Sequence, residues 1–592
     1  MRQGNFSELL NTNLTGQSPV TLYQPNSANV NRPLTCNGQP NTFCANQIDP
    51  VALKILNMYP APNANGGKTF NNLVENVAKD DDAIQWDQRL DWNISPKDQS
   101  YARYSYLHDL ILNALPLGPI LDGSGYGGES DFVLSQNFML SETHIFSPTL
   151  TNEFRFGYNW NHSAFKQPNA NDPTVASSLG LGGIPNLGPG QFGLPHGNFP
   201  QGGIASWGSV GTNNETQNVY QILDNVTKIL GNHSLKFGVS FQAVRFSYLY
   251  APTSLGLYQF GAGSNHGQGV YTGIPGNSNT GYDVADFLAG QLNQASIANA
   301  PNILDAQWYD AGYVQDDWKV SPKLTLNLGL RYDYYQPYKE VGGLQANFIV
   351  TGPLGIGTGA GVYQLPTKAK NVDLGATFLN TLAKDNVAVQ YTDNQSLANG
   401  QKTNFGPRIG FAYAAQPNTV FRAGYGIFYG GLMAQGNSNL GANFPFSNSA
   451  NFFAPTCAIG NCPSLEGSNG ITLESGLAQQ ITGGFQNFVS LLGVHATDVN
   501  IKTPYTMNYS ASMQQALSGN LAATISYVGN VLRHLSLYGA PNTAPGLFRP
   551  GTNTQSFNPF PDLGGIGQIH YAGVSTYNSL QAKIEKRYSH GL

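Results

Sequence analysis

The sequence predicts an all-β protein: a transmembrane, antiparallel, up-and-down β-barrel with short turns at one rim and long loops at the other. Three observations lead there. From Leu324 to Tyr334 every second residue is apolar (Leu324, Leu326, Leu328, Leu330, Tyr332, Tyr334), with Thr325, Asn327, Gly329, Arg331 and Asp333 between them. That is period-two alternation, the signature of a strand with one apolar and one polar face. It lasts about eleven residues, where globular strands run about five or six. The pattern then recurs in pairs of segments, each pair closed by a short turn and followed by a long loop. Finally, only 11% of the 592 residues are charged, against about 25% in soluble domains, while Gly (69), Tyr (31) and Phe (31) abound.

The paired segments can be followed along the chain. Ile84–Trp92 and Gln99–Leu107 flank "NISPKD"; a segment ending at Phe146 and one starting at Thr151 flank "SPTL". Asn218–Ile229 and Leu235–Tyr250 flank "LGNHS", and Trp308–Val320 and Leu324–Tyr335 flank "SPK". Phe405–Ala414 and Val420–Tyr429 flank "AQPNT", and Tyr505–Leu517 and Ala522–Gly529 flank "SGN". Each connector carries the Pro, Gly, Asn or Ser of a tight turn. With a last strand ending near Arg587, thirteen spanning strands are expected after residue 83. Between hairpins lie polar stretches at roughly 108–131, 161–217, 251–305, 336–404, 430–504 and 530–576. Loops beyond about 12–15 residues are uncommon in compact domains, so their regular recurrence fits outer-membrane barrels, which have short periplasmic turns and long extracellular loops. Lipid offers no hydrogen-bond partners, so a spanning sheet must leave no edge in it. A soluble β-sandwich or propeller is the competing reading, but no repeat of blade length is present.

The facing of each strand follows from its alternation. Phe154, Phe156, Tyr158 and Trp160 oppose Arg155, Gly157 and Asn159; Phe421, Tyr425, Ile427 and Tyr429 oppose Arg422, Gly424 and Gly426. Ile84, Trp86, Leu90 and Trp92 oppose Asp87, Arg89 and Asp91. Arginine keeps to the polar face, since on the lipid face at mid-membrane it costs about 2–4 kcal/mol. Aromatics gather near strand ends, as interfacial girdles do.

The balance of 29 Lys+Arg against 34 Asp+Glu gives no basic surface, so no nucleic-acid partner is expected. No stretch reaches the 18–20 apolar residues of a membrane helix. "MRQGNFSELLNTNL" lacks the apolar core of a secretory signal, and the expectation is that the true N-terminus lies upstream. Cys36 with Cys44 and Cys457 with Cys462 sit in loop composition. Small disulfides suit them; zinc would want tighter spacing in helical or ribbon context, which only Cys457/Cys462 meets in spacing, and no His is close to either pair.

"YVQDDWKVSPKLTLNLGLRYDYYQPY" (Tyr313–Tyr338) resembles a segment of TonB-dependent outer-membrane receptors, in their Oar-like branch. "DPVALKILNMYPAPN" (Asp49–Asn63), "WDQRLDWNISPKDQSYARYSY" (Trp86–Tyr106), "NEFRFGYNWN" (Asn152–Asn161) and "NFGPRIGFAYA" (Asn404–Ala414) resemble the same branch, in family order. The resemblance implies a 22-stranded barrel in the outer membrane of a Gram-negative cell, of which only part is present. Residues 1–83 would be an extracellular loop region between early strands, and 84–592 a partial barrel. The plug, the signal peptide and an N-terminal regulatory-like domain would lie outside the chain, and "SLQAKIEKRYSHGL" would be a strand entering another turn. The implied partners are outer-membrane lipid, an unknown extracellular ligand (metal chelate, glycan or peptide), and a periplasm-spanning TonB-type energy coupler acting through the plug.

Catalytic motifs are absent, and no cofactor or metal is expected. "GGKT" (Gly66–Thr69) has Pro62 where a phosphate loop needs glycine, and "GIGTGA" (Gly355–Ala360) stands in a loop without a strand before it or a helix after it. "KDDDA" (Lys79–Ala83) lacks the rest of a calcium loop and reads as a solvated acid cluster before a strand. The expectation is a non-enzyme. Candidate functional residues are those predicted to face the lumen: Arg89, Arg103, Arg155, Arg331, Arg408 and Arg422, with Asp87, Asp91 and Asp333. They are expected to pair across strands, with some free to meet substrate. The loop aromatics Tyr258, Phe260, Tyr271, Phe452 and Phe453 are further candidates for ligand stacking. Three functions compete: energy-coupled uptake, outer-membrane adhesion or secretion through ligand-binding loops, and a soluble β-rich binding protein.

Overall fold

A computed structural model describes residues 1–592 apart from 25–31, 123–129, 210, 212, 251–252, 262–270, 275–278, 300, 432–438, 455–469, 478–491, 519–520, 550–551 and 587–592. The main sheet has fifteen strands. Two are short, Lys339–Glu340 and Val494–Thr497; the other thirteen are long. In chain order these are β1 (Asp80–Ser95), β2 (Asp98–Leu112), β3 (Ser130–Ser147), β4 (Leu150–Lys166), β5 (Asn213–Leu230), β6 (His233–Tyr250) and β7 (Ile303–Ser321). They continue as β8 (Leu324–Tyr335), β9 (Phe405–Gln416), β10 (Thr419–Tyr429), β11 (Tyr505–Ser518), β12 (Leu521–Gly539) and β13 (Ile566–Lys586). Each pairs antiparallel with its neighbours in sequence, the up-and-down order the hairpins predict. Among the described residues β1 hydrogen-bonds only to β2, and no pairing joins β1 to β13.

Among the described residues five tight turns close hairpins at one rim, and β-bulges recur there, as between Asn93 and Ser95, Ile145 and Ser147, and Lys319 and Ser321. Such bulges end pairing and sharpen twist where a strand must reverse. The register carries the predicted alternation across the sheet. Val314, Leu330 and Pro407 lie in line on one face; Tyr313, Arg331 and Gly406 lie in line on the other. The apolar face is open over much of its length: Leu330 is 45% exposed and Leu580 75%. In water this would be a very large apolar patch; in a bilayer it is the lipid-contacting band. No helix among the described residues is long and apolar enough to cross a membrane. Near the turn rim the apolar face becomes polar and self-paired. His144 Nδ1 meets Asp98 at 2.5 Å, His233 Nδ1 meets Asp316 at 2.7 Å, and Asn152 donates to Asp224 at 2.5 Å. Phe146 and Trp318 pack on the two histidines.

Several strands run past the predicted segments into the loops, while others, such as Leu324–Tyr335, stop where the alternation predicts. β5 starts at Asn213 and β7 at Ile303, and Asp80–Asp82 of the acidic run lie inside β1 rather than before a strand. Alternation marks only the stretch that lipid selects, whereas hydrogen bonding continues past it.

The long segments do not remain simple polar loops. They fold with the N-terminal residues into a cap with its own apolar core, including Phe6, Leu22, Ile55, Leu121, Trp207 and Phe287, all at most 1% exposed. A four-stranded sheet (His196–Asn198, Leu257–Gln259, Gln294–Asn299, Asn448–Phe453) runs through it. A helix, Pro50–Leu56, starts where the Asp49 side chain accepts from Ala52 N at 2.7 Å and Pro50 fixes the first turn. A second core gathers Phe348, Tyr363, Phe378, Phe444 and Phe560 around the three-stranded sheet Asn347–Val350, Gly361–Pro366 and Val387–Thr392. Cys36 and Cys44 form a disulfide with Cα atoms 5.2 Å apart. Cys457, Cys462 and the last "SHG" turn lie outside the described residues.

Candidate functional site

All nine charged candidates stand on the polar face. Arg89 is opposite Arg103, Asp91 is in line with Tyr101, Ser141 and Arg155, and Arg408 is opposite Gly329, beside Arg331 in the ladder. Their pairing departs from the expected cross-strand ladder. Arg103 does reach across to Asp87 at 2.9 Å, where Ser105 also donates. Three more pair along their own strand: Arg89 with Asp91 at 2.6 Å, Arg155 with Glu153, and Arg331 with Asp333 at 2.9 Å. Residues i and i+2 share a face, and a guanidinium turned along its strand can grip the next carboxylate. That keeps it off the like charge opposite, as with Arg89 and Arg103.

The densest part lies on β7–β10. Arg331 donates to Asp333 Oδ1 at 2.9 Å and to the Tyr309 hydroxyl at 2.7 Å, and Tyr309 donates to the same Asp333 oxygen at 2.7 Å. Asp333 is 3% exposed. Tyr335 stacks on Tyr309 with centroids 4.5 Å apart, and Tyr313, under the Arg331 guanidinium, donates to Asn225 at 2.9 Å. This cluster satisfies itself, so it fixes the wall. Arg408 differs. It has no acidic partner among the described residues, its Nε is buried without a hydrogen bond, and its guanidinium lies 4.7 Å from the Phe428 ring centroid. A recess of about 400 Å³ opens beside it, with Gln315, Asn327, Asn508, Ser510 and Asn530 among its lining. Gly329, Gly410, Gly424 and Gly426 form its floor on the polar face. A Cβ on Gly426 would lie 2.9 Å from the Phe428 ring, so a larger residue there would displace the arginine's platform. Arg422, farther toward the turns, donates to Gln514 at 3.0 Å.

Four of the five loop aromatics are core rather than ligand surface. Tyr258 and Phe260 are fully buried, Tyr271 is 8% and Phe452 7% exposed; only Phe453, the next residue on a two-faced strand, is open. Phe260 packs on Phe287 and Phe199. Polar-to-apolar spacing in loops shows no period, which hid the cap core from sequence reasoning.

Buried carboxylates inside the cap were also missed. Asp286 accepts from Tyr271 N (2.7 Å), Thr272 N (2.8 Å) and Thr272 Oγ1 (2.7 Å), yet complete burial still pushes it up to about 8. Burial raises Asp283 to about 6 against donors from Gly203, Val284 and Gln201. Asp49 also reaches about 6 through burial, with Glu474 adding repulsion. One group among the described residues brings three metal-type ligand atoms within 4.8 Å of one another: Asp98, Glu142 and His144. It spans two strands, so no sequence spacing shows it.

A long antiparallel meander with a lipid-type outer band, a charged and self-paired inner face and a folded loop cap defines an outer-membrane β-barrel protein. The whole chain, residues 1–592, matches the family described as outer membrane beta barrel domain, and the chain belongs to that family. Among solved structures it is similar to the outer-membrane transporter YddB of Escherichia coli, at 11% identity and TM-score 0.48, covering 87% of this chain and 47% of that one. The siderophore receptor PirA of Pseudomonas aeruginosa has 10% identity and TM-score 0.39, with 85% and 53% covered. FpvA of the same species, bound to heterologous pyoverdines, has 9% identity and TM-score 0.41, with 86% and 48% covered. The chain spans about half the length of these structures. No curated protein matches it.

Proposed function

We propose that this chain is the barrel portion of an energy-coupled, TonB-dependent transporter of the Oar-like branch, taking up a metal chelate, glycan or peptide across the outer membrane. In this reading the polar face lines the lumen, the cap and residues 1–83 face the exterior, and a plug supplied outside residues 1–592 fills the barrel and meets the coupler. The carrying observation is the contrast on the polar face between arginines neutralised by their own strand and Arg408, left unpaired over Phe428 beside a glycine-floored recess. An uncompensated guanidinium on a lumen wall suits a partner that comes and goes, either ligand or plug carboxylate, because a permanent acid would block exchange.

The test uses cells expressing the whole gene, offered labelled metal chelates, oligosaccharides and peptides with and without a proton-motive-force uncoupler. Accumulation of one class that the uncoupler abolishes, and that Arg408→Ala or Gly424→Leu weakens, supports the reading. Uncoupler-insensitive entry would refute it, and surface binding without accumulation would favour adhesion.

A further inference from the structure

Asp305 stands on β7 on the same face as Gln307 and Tyr309, at the loop end of the sheet. It is fully buried, and neither carboxylate oxygen has a hydrogen-bond partner. Directly opposite, on the short strand Lys339–Glu340, lies Glu340, 1% exposed. Glu340 is fixed by donors: Leu304 N reaches Oε1 at 3.2 Å and Leu344 N reaches Oε2 at 2.5 Å. On its other side Asp305 faces Phe246, which brings no charge. The cations nearest in register, Arg245 and Lys339, both oppose Ala306 and so belong to the other face. Among the described residues no ion pair involves either acid.

A buried carboxylate without donor or counter-charge is strongly disfavoured, and a second carboxylate opposite makes it more so. Two such groups on facing strands, with free oxygen lone pairs and no basic neighbour, match the ligand set of a hard cation. We propose that Asp305 and Glu340 hold a divalent cation of the calcium type. Asp305 gives its two free oxygens, and Glu340 gives the lone pairs its backbone donors leave unused. The cation ties the segment leading from β8 into the three-stranded loop sheet onto the start of β7. It is thus a staple of the cap, separate from the Arg408 recess.

The experiment uses the whole protein in detergent, stripped of metal with a chelating resin at neutral pH. Terbium is the probe, since Trp308, Tyr309 and Tyr338 lie close in sequence to the two acids and can sensitise it. The expected result is saturable emission displaced by calcium, with affinity falling at least about tenfold in Asp305→Asn and in Glu340→Gln. Calcium should also raise the melting temperature of the unmutated protein and protect 336–404 from protease, a readout that holds even if a variant misfolds. Unchanged terbium binding in Asp305→Asn would overturn the site. So would an unmutated protein whose melting temperature and proteolysis ignore calcium; a gain in stability for Asp305→Asn in that protein would mean a bound proton instead.

Discussion

Leu330→Arg is the sharpest perturbation of the sheet's facing. Leu330 lies near the middle of β8, in line with Val314 and Pro407, and is 45% exposed. In the membrane that exposure is to acyl chains. An arginine there costs about 2–4 kcal/mol at the midplane, a roughly thirty- to several-hundred-fold loss in the folded population at about 1.4 kcal/mol per decade. The control is Asn327→Arg, on the opposite face of the same strand. Asn327 already donates to Asp317 at 2.6 Å, and a guanidinium can make the same bond, so the change should stay within about 0.5 kcal/mol. Both variants of the whole protein are folded into vesicles across a urea series and followed by tryptophan fluorescence and heat-modifiable mobility. Equal costs for the two substitutions would refute the assignment of lipid and lumen faces.

Cysteine scanning from Thr325 to Asp333 with a water-soluble thiol reagent should label odd-numbered positions and spare even ones; uniform labelling would contradict the register. Cys36→Ser opens a disulfide with sequence separation 8, removing about 2–3 kcal/mol of loop constraint on the chain-entropy account. Hydrogen exchange at 35–44 should accelerate, since Asn41 in that loop holds Leu22 N at 2.9 Å and Val20 O at 2.8 Å; unchanged exchange would argue against it. Asp286 gives a pH dependence. Its carboxyl is raised by burial to about 8, so the folded cap binds the proton more tightly than the unfolded chain does, and stability falls as pH rises from about 4 to about 8. Asp286→Asn should flatten that slope even while lowering overall stability, and a flat profile in the parent protein would refute the assignment.

The membrane-facing part of this fold was legible because lipid imposes a rule on every second residue. Leu324–Tyr335 matches β8 end to end, and Thr419–Tyr429 differs from the predicted segment by one residue. No such rule acts above the lipid. Leu22, Leu34 and Ile55 meet Phe260 and Phe287 in the cap core only after long excursions of chain, and isolated apolar residues in a Gly- and Asn-rich segment look alike whether buried or not. The site was half legible for the same reason. Alternation placed Arg331 and Arg408 on one face, but partner choice depends on which side chains two neighbouring strands bring alongside.

That dependence explains why two arginines so near each other differ. Arg331 is followed at i+2 by Asp333 and faces Tyr309 and Tyr313 from β7, so donors and acceptors close on themselves. At i+2 from Arg408 stands Gly410, and the residues opposite it are Gly329 and Gly426. Glycine offers neither counter-charge nor bulk, so the same composition that leaves Arg408 unpaired also hollows the wall beside it. A sheet built only for stability would fill that space and neutralise that charge; the pairing of Arg89, Arg155 and Arg331 with acids on their own strands shows that this wall has the means. Restoring the pattern with Gly410→Asp should therefore give Arg408 an i+2 carboxylate at little cost to folding, because the site is on the wet face and a Cβ there meets nothing nearer than 3.5 Å. If the recess serves exchange with ligand or plug, uptake should fall while heat-modifiable mobility and urea midpoint stay unchanged. Full uptake in Gly410→Asp would remove Arg408 from the functional account.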